Sequence, residues 1–309
     1  MTPRRKRARL AALWLAAAAT QASHAGLGRY CDTPTDPGAQ AQDRLLQLAG
    51  VIKSTLDGSG QRLAIVARSG LDLGRFGQRY SHAGVSLLGN PQSPWAVRQL
   101  YYACDEKLPR LFDQGMAGFV LGLHGAGEGF VSVLLLPPQP AAALEHAVLD
   151  DHRALALLGA VYSANAHAFS LRYQNCNQWL AEMLAQAWAG PADASAGYKA
   201  GPDRAAAQSW LLENGYEPTV FEVGWRPVMW LAALSPWLHS DDHPADDIAQ
   251  QRFRVSMPAS IEAFVRRREP QAERVEFCLT GERIVVRRGG LPLAEGCAPE
   301  PGDAVHSLD

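Results

Sequence analysis

An α+β fold is predicted by three features of the sequence. Two segments alternate with period two, "YSHAGVSLL" (80–88) and "WAVRQLYYA" (95–103), and the six residues "GNPQSP" between them read as the loop of a hairpin. Apolar residues recur at helical spacing over 44–56 and again over 176–188. Strand and helix signals are interleaved along 309 residues, without repeats or heptads, in a chain long enough for one large core. The expected architecture is an antiparallel sheet packed on a central helix, with further helices and a C-terminal β-hairpin added.

The elements follow in order. "PRRKRAR", the short apolar run "LAALWLAAAA" and the small residues Ser23 and Ala25 have the layout of a secretory signal peptide over residues 1–25. The remainder, 26–309, reads as a single domain with a C-terminal extension from about residue 240. A helix is expected at 44–56, ending at "DGSG", then a strand at "RLAIVAR" and the hairpin. "FVSVLLL" (130–136) is a strand closed by Pro137–Pro138, and 139–160 hold one or two helices. The central helix begins at "CNQWLAEMLAQAW" and stops at Gly190–Pro191. Beyond it come a helix at 203–214, a strand at 218–223, a helix near 259–268 and a hairpin around 275–294.

Charge and export narrow the function classes. A net charge of −2 provides no basic field to gather nucleic acid, and no run after the signal reaches transmembrane length. The mature protein is expected to be periplasmic or secreted. An oxidising compartment pairs thiols, and five cysteines leave at least one over. Cys278 and Cys297 flank the last hairpin and are the expected pair. Cys31 with Cys104 would form the second, leaving Cys176 as the free thiol.

Cys176 opens the central helix. Positions 176, 179, 180, 183, 184, 187 and 188 are all apolar, so the helix is buried, and Cys176 could simply be a small core residue. Its position points to chemistry instead. Asn175 is a plausible N-cap, and the unpaired amides and dipole of a helix start favour a thiolate and can hold an oxyanion. A nucleophilic cysteine needs a base. His82 shares one strand face with Gly84 and Ser86, a small polar face that a helix end could approach over Gly84. Even flanking of the six-residue loop sets Gly84 opposite Gln99 and His82 opposite Tyr101. The Gln99 amide oxygen could then accept the Nδ1 hydrogen of His82 and orient the ring.

These residues carry a resemblance. "YSHAGV" followed by "NCNQW" resembles the circularly permuted papain-like hydrolases, which include relatives of lecithin retinol acyltransferase and of NlpC-type cell-wall peptidases. In that group a histidine strand precedes a cysteine-first helix, and 176 − 82 = 94 residues suits the order. "YYACDEKLPRLFDQGMAGFVLG" and "YSANAHAFSLRYQNCNQW" resemble a bacterial family known as domain of unknown function 2145, over most of residues 26–300. The resemblance implies Cys176 as nucleophile and His82 as base. The third member of such sites is often His or Glu, and Gln99 departs from that.

Other motifs are weaker. "GLHGAGEGF" (122–130) lacks a phosphate-loop lysine and reads as a turn; "HSDDH" (239–243) lacks zinc spacing and reads as a solvated loop. The tryptophans at 225, 230 and 237 suit a core or a lid. The expected function is an exported thiol hydrolase or acyltransferase acting on a peptide, cell-wall or lipid acyl bond, without cofactor or metal. Cys176, His82 and Gln99 are its catalytic residues, and Gln174, Asn175 and Tyr101 line the oxyanion or substrate site. The alternative is a non-catalytic envelope binding protein on the same fold.

Overall fold

The computed structural model describes residues 38–123, 128–189, 203–224 and 235–308. The signal segment, Cys31, Trp225 and Trp230 lie outside the described residues. The chain runs α1 (Ala39–Asp57), β1 (Leu63–Arg68), β2 (His82–Leu87), β3 (Ala96–Ala103), β4 (Leu108–Gln114), α2 (Met116–Leu121) and β5 (Gly129–Leu135). It continues α3 (Pro138–Leu149), α4 (Asp151–Ala156), α5 (Cys176–Trp188), α6 (Arg204–Glu213), β6 (Thr219–Glu222), α7 (Ala245–Ala249) and β7 (Arg252–Val255). The last elements are α8 (Pro258–Arg268), β8 (Glu273–Leu279), β9 (Arg283–Arg288) and β10 (Ala304–Ser307).

Eight strands form one antiparallel sheet in the order β10-β9-β8-β5-β1-β2-β3-β4, and β6 and β7 form a separate pair. The fold is α+β. The C-terminal hairpin, expected as an addition, is instead integral: β8 pairs directly with β5 from Gly129↔Leu279 to Leu135↔Glu273. Strand β4 was not expected. Pro109 interrupts its pattern, and an edge strand, where one row of N–H groups needs no partner, accommodates that proline. The described helices include none long and apolar enough to cross a membrane.

Both faces of the sheet are covered, and this decides the environment of every strand residue. On one face α1 and α2 pack on Val66, Val97, Val131, Val133, Val275 and Phe277. The other face carries α3, α5 and α8. Arg98, which stands opposite Val85 on that face, donates to the Val148 carbonyl at the end of α3. Ile65, Ala67 and Ala83 share a cavity wall with Pro258 and Ile261 of α8, and α5 packs on β2, β3 and α3.

The β2–β3 hairpin has the register that loop counting predicts, with Leu87 opposite Ala96 and Val85 opposite Arg98. Trp95 closes it at a φ of 65°, a conformation that few bulky residues adopt. The ring is held there by burial against the α1 face and by the indole N–H donating to Asp57 Oδ1 at 2.5 Å.

Helix α5 is tied down by a buried polar cluster nearly two helical turns beyond its start. The Glu182 carboxylate accepts from Arg204 Nε (2.9 Å), Gln208 Nε2 (2.7 Å) and Gln174 Nε2 (2.6 Å). Arg204 also donates to the carbonyls of Ser170, Leu171 and Tyr173, fixing the segment that leads into Cys176. Desolvation pushes the Glu182 pKa up despite the attraction of Arg204. Arg204→Ala would leave that carboxylate buried without its charge partner. The expected loss is about 3–5 kcal/mol in unfolding free energy, read from urea denaturation; a loss below about 1 kcal/mol, the scale of a surface pair, would contradict the assignment.

Candidate active site

His82 and Gln99 meet as the register requires. Arg68 on β1 stands opposite His82, and extending the β2–β3 register places Gln99 opposite Gly84. His82, Gln99 and Tyr101 therefore point to the α1/α2 face. His82 Nε2 lies 2.5 Å from Gln99 Oε1, and Gln99 Nε2 donates to Gln114 Oε1 at 2.7 Å. Because the Gln99 N–H is used on Gln114, its oxygen faces the ring. Nε2 then carries the imidazole hydrogen and Nδ1 is the basic nitrogen. The sequence reading had Nδ1 in the bond with Gln99. The pair is diagonal across the strands, a longer span that the distal ring nitrogen covers. Tyr101 packs edge-on to the imidazole with ring centroids 5.5 Å apart and is 37% exposed, so it borders the solvent side of His82.

Gly84 does not serve the expected helix approach. A Cβ there would lie 2.7 Å from Val97 Cγ1, 2.9 Å from the Arg98 carbonyl oxygen and 3.0 Å from Gln99 Cβ. The missing side chain makes room for β3, and α5 lies on the other face.

Among the described residues Cys176 is the free thiol, and it is buried. Asn175 caps its helix by accepting from Gln178 N at 2.7 Å, as the sequence predicts. The next residue, Asn177, anchors this turn to β2 by donating from Nδ2 to the Ser81 carbonyl, 3.2 Å away and one residue before His82. The β2–β3 ladder ends at Val85↔Arg98, so residues 82–84 and 99–103 lie beyond it. The backbone N–H of Ala83, within that stretch, faces the Cys176 sulfur. Thiol and imidazole thus flank the same end of β2 from opposite faces, and no described hydrogen bond joins them.

Electrostatics at the site are dominated by burial. Desolvation pushes the Cys176 pKa up to about 11, against the amides of Asn177, Cys176 and Ala83 and the charge of Arg68, all of which lower it. The thiolate expected at a helix start is therefore outweighed by loss of water. Desolvation and then Arg68 lower the His82 pKa to about 3, against the bond to Gln99. At neutral pH the site holds a thiol and a neutral imidazole.

Gln174 and Asn175 are not oxyanion donors in this arrangement. Gln174 accepts from Gly159 N (2.7 Å) and donates to the Leu157 carbonyl (2.8 Å) as well as to Glu182, so its amide is fully engaged. Asn175 Nδ2 donates to the carbonyls of Ala164 and Ser256, each at 3.3 Å. Sequence reasoning missed Arg68, Gln114 and Asn177. The available signals were a charged residue closing an apolar strand and the second asparagine of "NCN".

Cys278 and Cys297 form a disulfide with Cα atoms 5.6 Å apart, and Glu128 accepts from Gly296 N at 2.7 Å beside it. These three residues could offer ligands to a metal only after reduction, since the sulfurs are bonded to each other. Cys104 is also disulfide-bonded; its expected partner, Cys31, lies outside the described residues. The "HSDDH" loop is not solvated throughout. His243 is buried, its Nε2 donating to the Asn165 carbonyl at 2.8 Å, and Asp242 accepts from His167 N.

The family model described as "Uncharacterized protein conserved in bacteria (DUF2145)" matches residues 55–265. That span contains His82, Gln99 and Cys176 and ends within α8, before the last three strands of the sheet. No curated protein and no solved structure matches the chain.

The depressed His82 pKa has a testable sign. A group neutral when folded and protonated when unfolded contributes stability that is present above pH 6.5 and is lost as pH falls from 6.5 through about 3. His82→Gln should therefore flatten the acid side of the stability curve, read as urea midpoints near pH 7.5 and pH 4.5. An unchanged difference between the two midpoints would show that the ring is not buried neutral.

Proposed function

The chain belongs to the DUF2145 family, and for this member we propose an exported thiol hydrolase or acyltransferase with a papain-like site. Cys176 is the nucleophile, His82 the general base and acid, and Gln99 the residue that orients the ring. The observation that carries the reading is the His82–Gln99 hydrogen bond at the end of β2, against which the helix start bearing the one free thiol among the described residues is anchored. The disulfide supports a compartment in which thiols oxidise.

In this reading the Cys176 sulfur attacks an acyl carbon, and its proton passes to His82 Nδ1. His82 delivers that proton to the leaving amine or alcohol as the C–N or C–O bond breaks, leaving a thioester. Water, or another acyl acceptor, then attacks the thioester with its proton going to His82, and the thiol is restored. The N–H groups of Asn177, Cys176 and Ala83 around the sulfur are the available oxyanion donors. Because thiol and imidazole flank β2 from opposite faces, the working form requires the sulfur to reach the ring past the end of the β2–β3 ladder, where 82–84 stay paired to β1 and 99–103 to β4. Peptide, cell-wall and lipid acyl groups all suit the chemistry.

A second reading has one observation in its favour. Cys176 is only 5% exposed, which suits a non-catalytic envelope protein that binds through its surface. The two separate on a panel of acyl esters and amides assayed with the purified chain. Cys176→Ala should abolish turnover while unfolding stays within about 1 kcal/mol of wild type. His82→Gln should cost about 10²–10⁴-fold in kcat, and Gln99→Ala less, since the ring keeps its chemistry. Equal turnover by wild type and Cys176→Ala would leave the binding reading.

A further inference from the structure

Three small side chains stand side by side across the middle of the sheet, on the face that α8 covers. Ala83 on β2 is opposite Ala67 on β1, and Ala67 is opposite Ser132 on β5. The space that longer side chains would take is left as a cavity of about 20 Å³, walled also by Ile65, Leu134, Pro258 and Ile261. That is room for one water or one methyl-sized group. The cavity lies beside the cysteine turn. Asn177 donates from Nδ2 to the Ser81 carbonyl at 3.2 Å and approaches Met257 Sδ at 3.9 Å. Tyr80, Ala83 and Pro258, each within two residues of one of those anchors, line the cavity.

The lining defines what can enter. Ser132 is 4% exposed, and its hydroxyl, at the cavity wall, has no hydrogen-bond partner among the described residues. A buried hydroxyl is normally satisfied, and a polar group of a ligand would satisfy this one. The charges at the rim are already matched. Glu276 is held by Tyr80, Arg79 and Arg274, and Glu262 lies 3.6 Å from both Arg266 and Arg274. The other walls are apolar, so the cavity suits a neutral ligand.

We propose that this cavity is the acyl pocket of the Cys176 site, and that it takes a peptide residue no larger than alanyl. The proposal rests on the reading of Cys176 as nucleophile. The methyl side chain fills the space over Ala67 and Ala83, and the Ser132 hydroxyl bonds to the amide of the same residue. A fatty acyl chain or a branched side chain has no room there.

The test follows the labelled isoleucine and leucine methyls of the full chain by NMR as N-acetylalaninamide or N-acetylleucinamide is added. N-acetylalaninamide should shift the Ile65, Leu134 and Ile261 methyls saturably, and N-acetylleucinamide should not. Ala67→Val fills the cavity and should abolish the shifts. Ser132→Ala removes one hydrogen bond and should weaken binding about two- to tenfold. Should Ala67→Val fail to fold, Ser132→Val fills the same space from the next strand. No shifts in wild type, equal shifts with the leucine compound, or shifts that survive the filled cavity would overturn the proposal. Turnover separates it from the reading beneath it. Binding of N-acetylalaninamide by a chain that cleaves no acyl ester would keep the pocket as a peptide-binding site and remove the nucleophile. Cleavage that needs Cys176 but is as fast on N-acetylleucine esters as on N-acetylalanine esters would keep the nucleophile and remove the pocket.

Discussion

Exclusion of water from the end of β2 governs this site. A helix N-terminus lowers a thiol pKa through amides and a dipole, and Cys176 has both, yet burial raises it to about 11. The same exclusion holds His82 neutral down to about pH 3. Each group is kept in its uncharged form because α5 and α8 cover one face of the sheet and α1 and α2 the other. A site of this kind is chemically silent when closed. In the proposed enzyme, reactivity would depend on how the sulfur and the imidazole come together.

The remainder of the fold secures that closed form. Glu182 and Arg204 anchor the segment entering Cys176, and Asn177 fastens the cysteine turn to Ser81. Gln114 on the edge strand β4 holds Gln99, which holds the imidazole. The Cys176 thiol is thus supported from the α3/α5/α8 face and the His82 imidazole from the opposite one. The short β2–β3 ladder is the place where the two supports meet.

Much of this arrangement was legible in the sequence where the signal was local. The six-residue loop set the β2–β3 register, and with it the Gln99–His82 contact. "NCNQWL" marked an N-cap and a buried helix, and both are present. What was not legible was non-local. Period-two alternation separates His82, Gly84 and Ser86 from Ala83, Val85 and Leu87, but it does not say which helix covers which set. The small residue Gly84 looked like room for a helix and is room for a neighbouring strand. Gln174 looked like a donor near the cysteine, because its partner Glu182 gave no sign of being a buried anion until α6 brought Arg204 against it. The C-terminal hairpin gave no clue that it would pair with β5, about 150 residues earlier in the chain.

The central claim is that Cys176 carries the acyl group in turnover. Acid quench of the full chain during reaction with an activated acyl ester, followed by peptide mass mapping, tests it directly. The account predicts an acyl thioester on the peptide containing Cys176, absent from the Cys176→Ser variant. Ester consumption with no acyl mass on that peptide, or with the acyl group on another residue, would contradict it.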